Sequence, residues 1–199
     1  MEILNISATK SESRSLKGLV WTWLVVLIGL FPGALNSPAQ TEISKEYKVK
    51  ALFLYNFSQF VEWPAETFPE AQSPLVIGVI GKNPFGAYLE ELVRGESVNN
   101  HSLVVRLFER IEEIKTCHIL FVSQSETNQL EQIFASVKTR MILTVGDVDG
   151  FAQRGGMIRF VTEKNKIRFR INLEAAKAVH LTISSKLLRP AEIIAPGKD

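Results

Sequence analysis

Short apolar runs bounded by turn residues constrain this chain most. Leu75–Ile80 is apolar throughout and Cys117–Val122 is apolar but for His118, and Leu103–Phe108 and Met141–Val145 are runs of similar length. Apolar stretches of strand length without alternation are the mark of strands covered on both faces. Helical patterns stand between them. Residues 43–62 carry Val49, Phe53, Phe57 and Phe60 at helical spacing, with Leu54 and Val61 widening the stripe, and the helix must end near Trp63 because Pro64 follows. Asn83 and Pro84 read as N-cap and first turn of a second helix, with Phe85, Tyr88, Leu89 and Leu92 on one face. Ser123 and Glu126 read as a capping box opening a third, whose Leu130, Ile133, Phe134 and Val137 face inward.

Beyond Gly155-Gly156, which suit an unusual backbone path, the period changes. Met157–Thr162 and Lys166–Ile171 alternate strictly, as antiparallel strands with one wet face do. A two-residue turn at Lys164-Asn165 would set Ile158 opposite Ile171, Phe160 opposite Phe169 and Arg159 opposite Arg170. A short helix from Leu173 and a tail with Leu187, Leu188, Ile193 and Ile194 close the pattern. The expected fold is α/β: a three-layer sandwich with a mixed, mostly parallel sheet, helices on both faces and an antiparallel hairpin.

The first residues address the domain. Lys10, Arg14 and Lys17 precede an apolar run from Leu19 to Phe31, and Ser37 and Ala39 supply small residues for cleavage after Ala39. Residues 1–39 therefore read as a secretory signal peptide, with an uncleaved membrane anchor as the alternative. Residues 40–199 read as one domain, with polar, disordered ends at residues 40–44 and 197–199. Cys117 is the only cysteine, so an internal disulfide is impossible. It reads as a buried inert thiol, or as one half of an intermolecular bond. The formal net charge is +2, and nothing points to nucleic acid.

The residues name no catalytic group, metal site or cofactor. The turn from Gly81 to Gly86 lies where a phosphate loop would lie, but Ala87 and Tyr88 replace its lysine and hydroxyl residue. Lys82, Asn83, Phe85 and Gly86 stay candidates for a small anionic ligand, beside the plainer reading of a tight turn. Asp147-Val148-Asp149-Gly150 lacks the further acidic ligands of a calcium loop and reads as a turn. His101, His118 and His180 lack metal-ligand spacing. Asn56, inside the first apolar stripe, reads as a buried amide tied to backbone, with ligand contact as the alternative. Trp63 reads as a core lid or an exposed anchor. Arg159, Arg168 and Arg170 on the hairpin's outer face are a solvated edge or a patch for an acidic partner, and Leu187 and Leu188 are either packed or exposed for contact.

Several blocks together resemble a known family. Lys50–Phe57 with Val61–Pro64, Ile80–Gly86, Cys117–Ser123, Gly150–Ala152, Gly155–Ile158, Ile167–Asn172 and Ser184–Arg189 keep the order and spacing of the YfiR-like periplasmic proteins. The resemblance spans about Tyr47 to Arg189. It implies an α/β sandwich in the periplasm, often dimeric, whose naming member represses an inner-membrane diguanylate cyclase by binding its periplasmic sensor portion. Release of that grip raises cyclic-di-GMP and favours biofilm growth. That member carries disulfides that influence its activity; with Cys117 alone, this chain has no intramolecular switch of that kind. The expected function is regulatory binding, not catalysis. Its partner would be an inner-membrane sensor or diguanylate cyclase, with a homodimer possible and a small-ligand carrier or sensor as the alternative.

Overall fold

A computed structural model describes residues 43–195. The signal region 1–39 with its cleavage point, and the polar end 197–199, lie outside the described residues. The chain opens with helix α1 (Lys45–Phe60), followed by β1 (Val61–Glu62), β2 (Leu75–Ile80), α2 (Tyr88–Val93), β3 (Ser97–Val98), β4 (His101–Phe108) and β5 (Ile119–Val122). It continues through α3 (Leu130–Val137), β6 (Leu143–Gly146), β7 (Ile158–Glu163), β8 (Lys166–Asn172), α4 (Leu173–Lys177), β9 (Thr182–Ile183), α5 (Ser185–Leu188) and β10 (Glu192–Ile194).

The main sheet has eight strands in the order β10-β8-β7-β6-β5-β2-β4-β3. Pairing is parallel except between β7 and β8 and between β3 and β4. A two-stranded ribbon, β1 with β9, stands apart. Every residue of β2, β5 and β6 is buried, as continuous apolar runs require. One face packs Ala51, Leu54 and Phe57 of α1 and Leu89 and Val93 of α2 against the sheet. The other packs Leu130, Ile133 and Val137 of α3 with Phe151 against Leu120 and Val122. The α/β fold is thus a mixed, mostly parallel sheet with helices on both faces.

The hairpin has the anticipated register, Ile158 opposite Ile171, Phe160 opposite Phe169 and Arg159 opposite Arg170. Lys164 and Asn165 both take positive φ, 48° and 60°, the geometry whose twist matches flanking strands. Phe160 and Phe169 then meet Phe57 of α1, each ring centroid at 5.8 Å.

Helix α1 departs from expectation in extent, rotation and start. It ends at Phe60 rather than Glu62, because Val61 turns extended and pairs with Ile183 while Ser184 N–H donates to the Phe60 carbonyl. Its buried face centres on Lys50, Ala51, Leu54, Phe57 and Ser58, leaving Val49 38% exposed. Ala51 is fully buried in the core on this face. Ser44, expected in a disordered end, is the N-cap and accepts from Tyr47 N–H at 3.3 Å.

The other two expected caps are also corrected. Helix α2 starts at Tyr88, and Asn83 instead closes a turn: its Oδ1 accepts from Phe85 N–H at 2.9 Å and its Nδ2 donates to the Gly86 carbonyl at 3.0 Å. Such an Asx turn satisfies the amide locally and competes with capping. Ser123 opens a 3-10 turn over Gln124–Gln129 without a side-chain cap, since Glu126 engages Ser125 instead.

Candidate functional site

The outer face of β7 and β8 gathers Arg159, Arg168 and Arg170, as strand alternation dictates. Carboxylates from elsewhere in the chain interleave them. Arg159 pairs with Asp149, Arg170 Nε donates to Glu192 Oε2 of β10 at 2.8 Å, and Arg168 Nε lies 3.5 Å from Glu163. The side chains are 12%, 23% and 61% exposed for Arg159, Arg170 and Arg168 respectively, so Arg168 is the one most open to a partner. A groove of about 230 Å³ runs beside them, lined by Val161, Glu163, Arg168, Arg170, Pro190 and Glu192. The face is mixed in charge rather than uniformly basic. Leu187 of α5 is only 4% exposed and sits in the core, whereas Leu188 is half-buried against it. Ile193 of β10, 49% exposed, is the apolar residue that the tail presents outward.

The Gly81–Gly86 turn lies at the carboxyl end of β2, which stands between its parallel neighbours β4 and β5 in the sheet. Open α/β sheets bind ligands in the crevice at such strand ends. Here Ser125 and Glu126, from the segment after β5, pack against Gly81. Lys82 N–H donates to Ser125 Oγ at 2.9 Å, and Ser125 Oγ donates to Glu126 Oε1 at 2.7 Å. A Cβ at Gly81, whose φ is +85°, would come within 2.4 Å of both side chains. The Lys82 side chain is exposed and Gly86 takes φ +54°. Phe85 is a core residue, with its ring 4.8 Å from Phe121 and 5.6 Å from Tyr47.

A buried ionic cluster at the end of β6 escaped the sequence reading. Asp147, expected in a surface turn, has a side chain 2% exposed and accepts from Lys50 Nζ at 2.5 Å and Tyr47 Oη at 2.9 Å. Lys50 also lies 2.6 Å from Glu46, which accepts from Thr162 Oγ1 at 3.0 Å. The Lys50 bond holds Glu46 below the usual carboxylate range against the opposing effect of burial. Burial, then the Asp147 charge, pushes the Tyr47 hydroxyl well above its ordinary value. The available signal was a lysine beside Ala51 and three residues before Phe53, which marks the buried face only once the helix is rotated.

The histidines, unrelated in sequence, also meet. His101 and His118 stack on opposite sides of Phe68, with ring centroids at 3.7 and 4.6 Å. Trp63 stands edge-on to His118 at 6.2 Å, half-buried in the core, and its Nε1 is buried without a partner. His180 is exposed at φ +60°. Among the described residues no group of His, Cys, Asp and Glu is placed to hold a metal. Asn56 is half-buried rather than fully buried. Gly155 takes φ +110°, and Gly156 lies against Phe151.

A family profile described as YfiR/HmsC-like matches residues 47–192. This chain belongs to the YfiR/HmsC-like family. No curated protein matches it. The matched span of this YfiR/HmsC-like chain runs from α1 to the first residue of β10, so it takes in the arginine face, the histidine stack and the ionic cluster apart from Glu46.

Its single cysteine is a core group. Cys117 is 5% exposed, its Sγ donates to the Ile119 carbonyl at 3.0 Å, and burial pushes the thiol up to about 12. Maleimide labelling of the folded protein should therefore be slower than that of the urea-unfolded protein by about a hundredfold or more, because the thiolate is the reactive form. Comparable rates would show that Cys117 is reachable and open to intermolecular bonding.

Proposed function

We propose that this chain is a periplasmic regulatory binding protein that controls a membrane-bound signalling protein, such as a diguanylate cyclase, through direct protein contact. Membership of the YfiR/HmsC-like family over residues 47–192 carries this reading. Residues 1–39 would serve as the export signal. No helix among the described residues is long and apolar enough to cross a membrane. The domain would hold its partner in one state, and a signal would act by changing relative affinity; about 1.4 kcal/mol of difference gives a tenfold shift.

The proposed contact surface is the β7–β8 face with its rim, Arg168 first, then Arg170, Leu188 and Ile193. A cationic rim beside carboxylates would set partner orientation and association rate more than total affinity. The test is capture from solubilised membranes with the exported protein as bait, comparing the native chain with Arg168→Glu/Arg170→Glu. Recovery of a membrane signalling protein, reduced about tenfold or more by the reversal, would support the assignment. Equal recovery by both proteins would move the contact surface elsewhere. No membrane protein retained by either would count against the regulatory reading.

A further inference from the structure

Residues 64–74 form a strap across the amino-terminal end of the main sheet. The strap's backbone hydrogen bonds are local: Thr67 to Pro64, Phe68 to Ala65 and Ser73 to Glu70. Among the described residues, its attachments to the sheet end are made by side chains. His101 Nδ1–H donates to the Ser73 carbonyl at 2.7 Å, Thr67 Oγ1 donates to Met141 Sδ at 3.1 Å, and Phe68 is clasped between His101 and His118. Beside the strap lies a cavity of about 320 Å³ lined by Ser58, Trp63, Phe68, Leu75, Val98 and His101.

We propose that protonation of His118 releases this strap, so that residues 64–74 lift from the sheet and open the cavity in acid. The hydrogen bonding at His118 demands the neutral ring. Its Nδ1 accepts from Val76 N–H at 3.0 Å, which puts the ring's one proton on Nε2, and Nε2 is buried without an acceptor. A second proton would confront Val76 N–H with another donor. The charged groups facing the ring are unfavourable: His101 and Arg106, both from β4, oppose its protonation. Cys117, its neighbour before β5, is a neutral buried thiol, and Trp63 and Phe68 present only rings. The Thr67 carbonyl lies near enough to favour the cation but makes no hydrogen bond to Nε2, and the Phe68 face adds a weak attraction; burial outweighs both, and no carboxylate offsets the charge.

Burial is the main cause that lowers His118 from 6.5 to about 4, with His101 and Arg106 adding to it. The sign follows. The closed form binds fewer protons than the open one, so its advantage is complete above pH 6.5 and is lost as pH falls through about 4. Opening also gives water to His118 Nε2 and Trp63 Nε1, two buried donors that the closed form leaves without acceptors. A strap held by side chains is the part of the fold that can yield first, because local opening costs least where few backbone bonds cross. This inference does not depend on which partner the domain holds.

Hydrogen exchange of the full chain at neutral pH and near pH 4, corrected for intrinsic rates, tests it. Peptides covering residues 64–74 should lose about tenfold or more of their protection in acid while β5 and β6 stay protected. His118→Asn keeps an acceptor for Val76 N–H but cannot titrate, and its strap should stay closed at both values. Equal strap protection in acid and at neutral pH, acid opening undiminished in His118→Asn, or simultaneous loss in β5 and β6 would each overturn the proposal. Should that variant fail to fold, imidazole NMR of the native protein decides. Titration of His118 at the midpoint of strap opening supports the latch, and titration without opening overturns it.

Discussion

Lys50→Ala is expected to lower the stability of the domain by about 3–5 kcal/mol. The reason is what it leaves behind. Asp147, with a side chain 2% exposed, would keep only the Tyr47 hydroxyl as partner, and its Oδ1 is already buried without one. A buried carboxylate without its cation is among the few defects that reach this magnitude. Replacing both partners by apolar residues of similar volume, Lys50→Met with Asp147→Leu, should recover much of the loss, because attraction between buried charges mostly offsets their desolvation. Urea unfolding of the single and double variants measures both. A loss below about 1 kcal/mol in the single variant would mean that water reaches the pair, as in surface ion pairs.

Gly156→Ala should be nearly as damaging, about 3 kcal/mol. A Cβ there would fall 2.2 Å from two ring carbons of Phe151 and 2.8 Å from its carbonyl oxygen. The ring has nowhere to go: it lies 5.1 Å from Phe134, and a Cβ at Gly146 would meet it at 2.5 Å. Gly156 N–H also donates to the Phe151 carbonyl at 2.9 Å, which fixes the two backbones together. Phe151→Leu in the same chain should restore part of the loss, since the two positions share one space and their effects cannot add. Thermal unfolding of the two single variants and the double variant reads this out. Additive losses would show that the site relaxes and that the glycine is not a packing requirement.

The parts of the fold that were legible in the sequence are those set by local pattern. Alternation fixes the face of each residue in β7 and β8, and Lys164-Asn165 fixes the turn, so the whole register follows from neighbours in the chain. The strands β2, β5 and β6 were likewise visible as uninterrupted apolar runs. Rotation of α1 was not, because apolar residues stand on both flanks of that helix. Val49 and Leu52 compete with Ala51 and Leu54 for the core, and the contest is settled by Asp147, distant in sequence. The same holds for the arginine face, whose charge balance comes from Asp149 and Glu192. Phe68, His101 and His118 carry no mutual signal at all until the sheet brings their elements together.

The ribbon of β1 and β9 bears on the order in which the molecule is made. Val61 pairs with Ile183, and Phe57 rests on Phe160 and Phe169. The first helix therefore finds its ladder partner and much of its apolar bed in the last part of the chain to be synthesised. An emerging polypeptide can pack that helix against Phe85 and Leu89 early, but its bed on Phe160 and Phe169 waits for β7 and β8. Contacts so distant in sequence form slowly, and unfinished chains of this kind expose aggregation-prone surface.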